Sequence, residues 1–264
     1  MRLGKLLAVL LLLNVVGCDQ ATMMKTVLQP QDELVAKDYI DQLRQRQFEK
    51  IERDMDPSMR NASLHEMLVR MADLFPSQPA ESVKVVGVQK SESAGESEIN
   101  ITFELQFPAG WRLANVATRT KAGQTTIVGF HVDSLPHSLE DTNRFNLSGK
   151  SLLHYLALVL TVLIPLFVLA VLVVCVRTKI ERRKWLWILA IILGVGSFSL
   201  NWTTGTWHFT LLYVSLFGAA ATAAPYGPWM LSISIPLGAI VFLLRRKGIG
   251  AAPVAARHPR TPQA

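Results

Sequence analysis

The run LLHYLALVLTVLIPLFVLAVLVVCV, Leu152 to Val176, decides how this chain is read. Its 25 residues contain no Asp, Glu, Lys or Arg. As a helix it would measure about 37 Å at 1.5 Å per residue, against a hydrocarbon core of about 30 Å. It reads as a membrane-spanning helix. Next comes RTKIERRK, Arg177 to Lys184, with five positive charges and one negative. A basic cluster directly beyond an apolar run marks the cytoplasmic end of a span.

Working outward, the 264 residues are half hydrophobic and the mean hydropathy is +0.29, too apolar for an ordinary soluble domain. The apolar residues are not spread evenly. Residues 19–149 hold 14 Lys+Arg against 19 Asp+Glu, whereas 150–264 hold 11 against one. The net charge of +7 therefore comes from short clusters beside apolar runs, 177–184 and Arg245-Arg246-Lys247. The one sizeable water-loving region is acidic, which argues against a nucleic-acid partner.

The N-terminus reads as a targeting segment, 1–17. Arg2 and Lys5 precede an apolar core from Leu6 to Val16 that is too short for an ordinary span. Val15-Val16-Gly17-Cys18 resembles a bacterial lipobox, which implies lipidation at Cys18. Asp19 then resembles the inner-membrane retention signal of enterobacterial lipoproteins. Residues 18–31 form a tether. The only other cysteine, Cys175, lies deep in the apolar run, so no intrachain disulfide is expected and Cys175 reads as a small apolar filler.

Residues 32–133 read as an α+β domain exported to the periplasm. Ala36, Ile40, Leu43, Phe48, Ile51 and Met55 share one arc at helical period, which predicts one helix ended by Asp56-Pro57. Ser63 to Glu66 has capping-box spacing and opens a second amphipathic helix, closed by Pro76. After Pro79 the period changes to two. A strand over Val83–Val88 is followed by Ile99, Ile101, Phe103, Leu105 and Phe107 alternating with polar residues. Two further strands run from Trp111 to about Thr120 and from Gln124 to about Asp133, separated by Lys121-Ala122-Gly123. Two helices covering the dry face of a four-stranded antiparallel meander make a two-layer domain.

That order looks like the small NTF2-like or cystatin-like domains of exported bacterial lipoproteins. The whole chain resembles a family of uncharacterised proteobacterial inner-membrane proteins. The residues that carry the resemblance are Phe107-Pro108-Ala109-Gly110-Trp111-Arg112-Leu113-Ala114-Asn115-Val116, Asn201-Trp202-Thr203-Thr204-Gly205, and Tyr226-Gly227-Pro228-Trp229 with Pro236-Leu237-Gly238-Ala239. It implies architecture and no chemistry.

After a polar linker, 134–151, an all-α membrane domain of three transmembrane helices is expected. The first is 152–176, then a basic cytoplasmic loop 177–184 and a second span 185–201, with Trp185, Trp187, Trp202 and Trp207 as interfacial belts. Residues 202–225 read as a periplasmic or interfacial segment and 226–244 as the last span. This puts the basic, disordered tail 245–264 in the cytoplasm. The alternative makes His208–Ala224 another span, giving four, and leaves the tail outside. Ser197, Ser199, Ser232 and Ser234 are placed to bond across helices.

The sequence shows little chemistry. None of the six histidines forms a metal pair at helical spacing, and no nucleophile elbow or phosphate-cradling glycine loop is present, so no metal or cofactor is expected. His131 and Asp133, two apart on the fourth strand, are the candidate acid/base pair; a solvated strand edge is the plainer reading. The uncharged spans offer no carrier for an ion path. The expectation is a membrane-anchored periplasmic binding or interaction module, taking an envelope protein or an apolar ligand held between sheet and helices. An enzyme with an NTF2-like pocket and an accessory subunit of an envelope transport or assembly complex are the alternatives.

Overall fold

The computed structural model describes residues 24, 26–180 and 183–249. The chain divides into two compact units. One runs to Asn143 and takes in the loop Ala224–Gly227; the other holds Arg144–Ala223 and the chain from Pro228 on. The targeting segment with Cys18, most of the tether and the tail beyond residue 249 lie outside the described residues.

In the first unit, helix α1 is Pro30–Arg44 and α2 is Phe48–Asp54. Pro30 opens α1 with Asp32 and Glu33 in its first turn, where a missing N–H is harmless and negative charge faces the positive helix end. The single helix expected over 36–55 is broken. From Leu43 the next large apolar residue, Phe48, comes five positions on, out of step with the preceding spacings of four and three. Arg46, at φ 56°, takes the left-handed conformation that resets the phase. A 3₁₀ turn at Pro57–Met59 follows, then helix α3, Leu64–Asp73. The expected capping box at Ser63 is absent. Ser63 has helical dihedrals and makes no cap, while its own N–H and hydroxyl donate to Asn61 Oδ1 at 3.0 and 2.7 Å. The Asn61 side chain competes for the groups a capping box would use.

Strands β1 (Ser82–Ser93), β2 (Glu96–Phe107), β3 (Gly110–Lys121) and β4 (Gln124–Leu135) pair in sequence order as an antiparallel meander. One face is dry: Ile101, Phe103 and Leu105 of β2, with Ala114, Val116 and Ile127, are buried against Leu43, Ile51 and Leu68 of the helices. The space between sheet and helices is thus filled with side chains. Met55 bridges Ile127 and the Asp56 N–H donates to the Ile127 carbonyl at 2.8 Å, tying the end of α2 to β4. Register shifts at Val86 and Val128 each insert one extra residue, a β-bulge that bends the strand. On the opposite face Glu104 is buried, and its carboxylate accepts the Leu139 N–H at 2.5 Å at the start of the short helix α4, Leu139–Thr142.

The second unit overturns the expected all-α membrane domain. Helix α5, Leu152–Arg177, is long and apolar enough to cross a membrane and is mostly exposed. No other described helix reaches that length. The segment 185–201 is helical only as α6, Lys184–Ile192, and continues without a loop as strand β5, Leu193–Asn201. Residues 202–225 supply β6, Trp207–Leu216, and β7, Ala219–Ala223. The expected last span, 226–244, is β8, Trp229–Ile235, joined through Pro236 to helix α7, Leu237–Ile249. The four strands form an antiparallel sheet in the order β6-β5-β8-β7. The physical reason is legible in hindsight. Gly194 and Gly196 each cost a helix about 1 kcal/mol relative to Ala. Phe198 and Leu200 alternate with Ser197 and Ser199, and Leu231, Ile233 and Ile235 with Ser232 and Ser234, a period of two. Those serines meet across strands, with Ser199 and Ser232 Oγ 3.0 Å apart, and not across helices.

Two clusters hold this unit. Ala157 and Leu158 of α5 pack with Leu200, Trp202 and Leu231. Val168, Val171 and Cys175 further along pack with Ile191, Ala239 and Phe242. Gly238 is what lets α7 reach α6, because a Cβ there would run into the Ala190 carbonyl oxygen. Trp202, expected in an interfacial belt, is instead fully buried, stacked on Phe145 at 4.7 Å and donating its indole N–H to the Asn146 carbonyl at 2.8 Å.

Candidate functional site

On the face of the first sheet away from the helices, the outward positions of β2 and β3 carry Asn100, Thr102 and Asn115. Asn115 stands opposite Thr102 in the register. Its amide donates to Asn100 Oδ1 and, at 2.9 Å, to Thr102 Oγ1. These linked side chains form the floor of a concavity of about 530 Å³, walled by Val86, Val88 and Gln89 of β1, by Met24 and Val27 ahead of α1, and by Ala224 and Pro225. The bulge at Val86 gives the concavity one wall. Gly87 keeps the floor open, since a Cβ there would touch Thr102 at 3.4 Å. Among the described residues no charged side chain lines the concavity. Its volume is that of a small-molecule or short-peptide site, and its polar groups, amides and hydroxyls on an otherwise apolar wall, suit a neutral ligand that makes hydrogen bonds.

The loop Ala224–Gly227 is fixed within this unit by Lys84, whose ammonium lies 4.0 Å over the Tyr226 ring and 3.3 Å from Glu140, and by Asn143, which donates to the Tyr226 carbonyl at 2.8 Å. Partial burial works against the charge on Lys84, but its contacts with Tyr226 and Glu140 outweigh this and raise its pKa.

His131 and Asp133 share that outer face on β4, with Nε2 and Oδ2 3.0 Å apart. Both side chains are more than half exposed, and neither lines the concavity. The geometry is that of a solvated pair on a strand. Among the described residues no three His, Cys, Asp or Glu side chains gather closely enough to hold a metal ion. Cys18, the expected lipidation site, lies outside the described residues.

No family model, curated protein or solved structure matches this chain.

Other charged groups serve the architecture. At the far end of the sheet Arg119 lies 3.1 Å from Glu98 and 3.7 Å from Asp56 and Glu96, and Lys121 lies 2.6 Å from Glu96. Asp56 is held below the usual carboxylate range chiefly by Ser58, whose hydroxyl and backbone N–H donate to it at 2.6 and 2.9 Å, with help from Arg119. Burial, then Asp54, pushes the Tyr39 phenol up to about 12. The concavity was missed in the sequence because Asn100 and Thr102 read as the wet half of an alternating strand. The available signal was Gly87 inside a valine run, since a glycine within a strand marks a bulge or a close approach.

Proposed function

We propose that this protein is a membrane-anchored binding module whose concavity over Asn100, Thr102 and Asn115 takes a neutral, partly apolar ligand bearing amides, such as an extended segment of an envelope protein. The observation that carries this reading is the concavity itself, with apolar walls, a hydrogen-bonded polar floor and no charge among the described residues. It replaces a ligand held between sheet and helices, where buried side chains fill the space. The anchoring half of the proposal is supported by the exposure of α5 and by the chain path of the second unit. The antiparallel strand order returns α7 to the end where α5 finishes and α6 begins, so Arg177, Lys179 and Lys184 share an end with Arg245 and Arg246. Basic residues gathered at one end fit a cytoplasmic face, and the first unit would then sit in the periplasm of a bacterial inner-membrane protein.

The test is to purify the full chain from native membranes into lipid nanodiscs and identify what it retains by native mass spectrometry, beside Thr102→Trp, which fills the floor. A photocrosslinking residue at Gln89 reports the same contact in cells. An amide-bearing species that is retained by the wild type, crosslinked at Gln89 and lost in Thr102→Trp supports the reading. Equal retention by both proteins, or no crosslink at Gln89, overturns it.

A further inference from the structure

Among the described residues strand β6 is an open edge of the second sheet, paired only with β5. In water such a strand keeps one face polar and protects its free edge with charge, proline or brevity. β6 does none of these. Trp207, Phe209, Leu211, Leu212, Val214 and Leu216 are all exposed, on both faces of the strand, and Leu212 is 98 % exposed. The opposite edge, β7, is five residues long against ten for β6. From Trp185 to Leu244 the chain contains no Asp, Glu, Lys or Arg.

The depth of this sheet follows from its contacts with α5. Ala157 packs against Leu200 and Trp202 near one end, and Ile164, the thirteenth of the 26 residues of α5, lies where a Cβ on Gly218 would meet it at 2.8 Å. A helix of this length extends about 39 Å and overhangs a core of about 30 Å by only a few ångströms at each end. If α5 spans the bilayer, the sheet lies beside its first half, within one leaflet. The uncharged exterior of β6 suits acyl chains; its backbone does not. Unpaired N–H and C=O groups find no partner in hydrocarbon, where open sheet edges do not occur. The register leaves Leu211–Tyr213 without β5 partners, which adds to the groups that need one.

We propose that β6 pairs antiparallel with β6 of a second copy of this chain inside the bilayer, joining two four-stranded sheets into one of eight strands. An uncharged strand meets its own copy with no like-charge opposition, and antiparallel pairing of identical strands is satisfied by a two-fold axis. Self-pairing consumes the long open edge, and the short one, β7, lies against α5, so the assembly closes at two. The proposal rests on the membrane reading given above.

The experiment uses the full chain in its membrane, in a Cys175→Ser background that also serves as the blank for Cys18, with one cysteine at a time added from His208 to Val214 and oxidised. Disulfide-linked dimer is expected to peak at one position, where the axis crosses the strand, and to fall off on both sides; the wild-type chain in nanodiscs should contain two copies by native mass spectrometry. Lysine at the position where crosslinking peaks is expected to abolish the dimer, and mixing that variant with the glutamate variant of the same position to restore a mixed one. A fluorophore at Leu212, read against brominated lipids, tests the depth separately. Quenching with a single copy per nanodisc, or with crosslinks only to another protein, overturns the pairing and leaves the membrane reading standing. Absence of quenching overturns both.

Discussion

Tyr39 shows how a single side chain reports on the first unit. Its hydroxyl lies 3.5 Å from Asp54, and burial is the main reason its pKa reaches about 12. The folded state therefore holds this proton more tightly than the unfolded chain, whose phenol titrates near 10. The stability this confers is complete below pH 10 and is lost as the pH rises from there through about 12. Chemical denaturation of the full chain across that window should show the first unit weakening, and Tyr39→Phe should flatten the dependence. An unchanged slope in the variant would assign the loss to other groups. None of this was legible in the sequence, where Tyr39 falls between Asp38 and Ile40 and has no visible partner. Asp54 reaches it only because α2 folds back after Arg46.

At the scale of elements, the sequence was most readable where one physical signal acted alone. The alternation from Ile99 to Phe107 is unbroken because one face of β2 meets only helices and the other mostly polar side chains. It is least readable between Trp185 and Leu244, where apolar composition alone reads as helix. Composition reports the surroundings of a segment, whereas period reports its conformation, and the serines and glycines of β5 and β8 carried a period of two. The helix contact at Gly238 gives the sharpest test. An alanine Cβ would enter the Ala190 carbonyl, a backbone atom that cannot swing aside. Gly238→Ala should therefore destabilise the second unit by about 1–3 kcal/mol, seen as a lowered melting temperature in nanodiscs. Gly87→Ala, which meets only ordinary contact at Thr102, should stay close to the wild type. Equal effects would mean that α6 and α7 do not approach as described.

For the molecule as a whole, the direction of the chain through the second unit makes a prediction that the helix count alone misses. With β5 and β6 running oppositely, and β7 and β8 likewise, the sheet returns the chain to its starting end. Cysteines at Lys179 and Arg245 should then react with an impermeant thiol reagent from the same side of the membrane, in a Cys175→Ser background. Labelling from opposite sides would contradict this path. The same path bears on how the protein is made. Helix α6 passes into β5 with no intervening residue, and β8 reaches α7 through Pro236 alone. At nine residues α6 is far too short to be accepted by a translocation channel as a span in its own right. On the membrane reading proposed above, its hold on the bilayer depends on a sheet whose last strand is synthesised about forty residues later. On that same reading integration waits until the ribosome has passed Ile235, and a truncation short of that point should leave a nascent chain anchored by α5 alone and exposed to quality-control proteases.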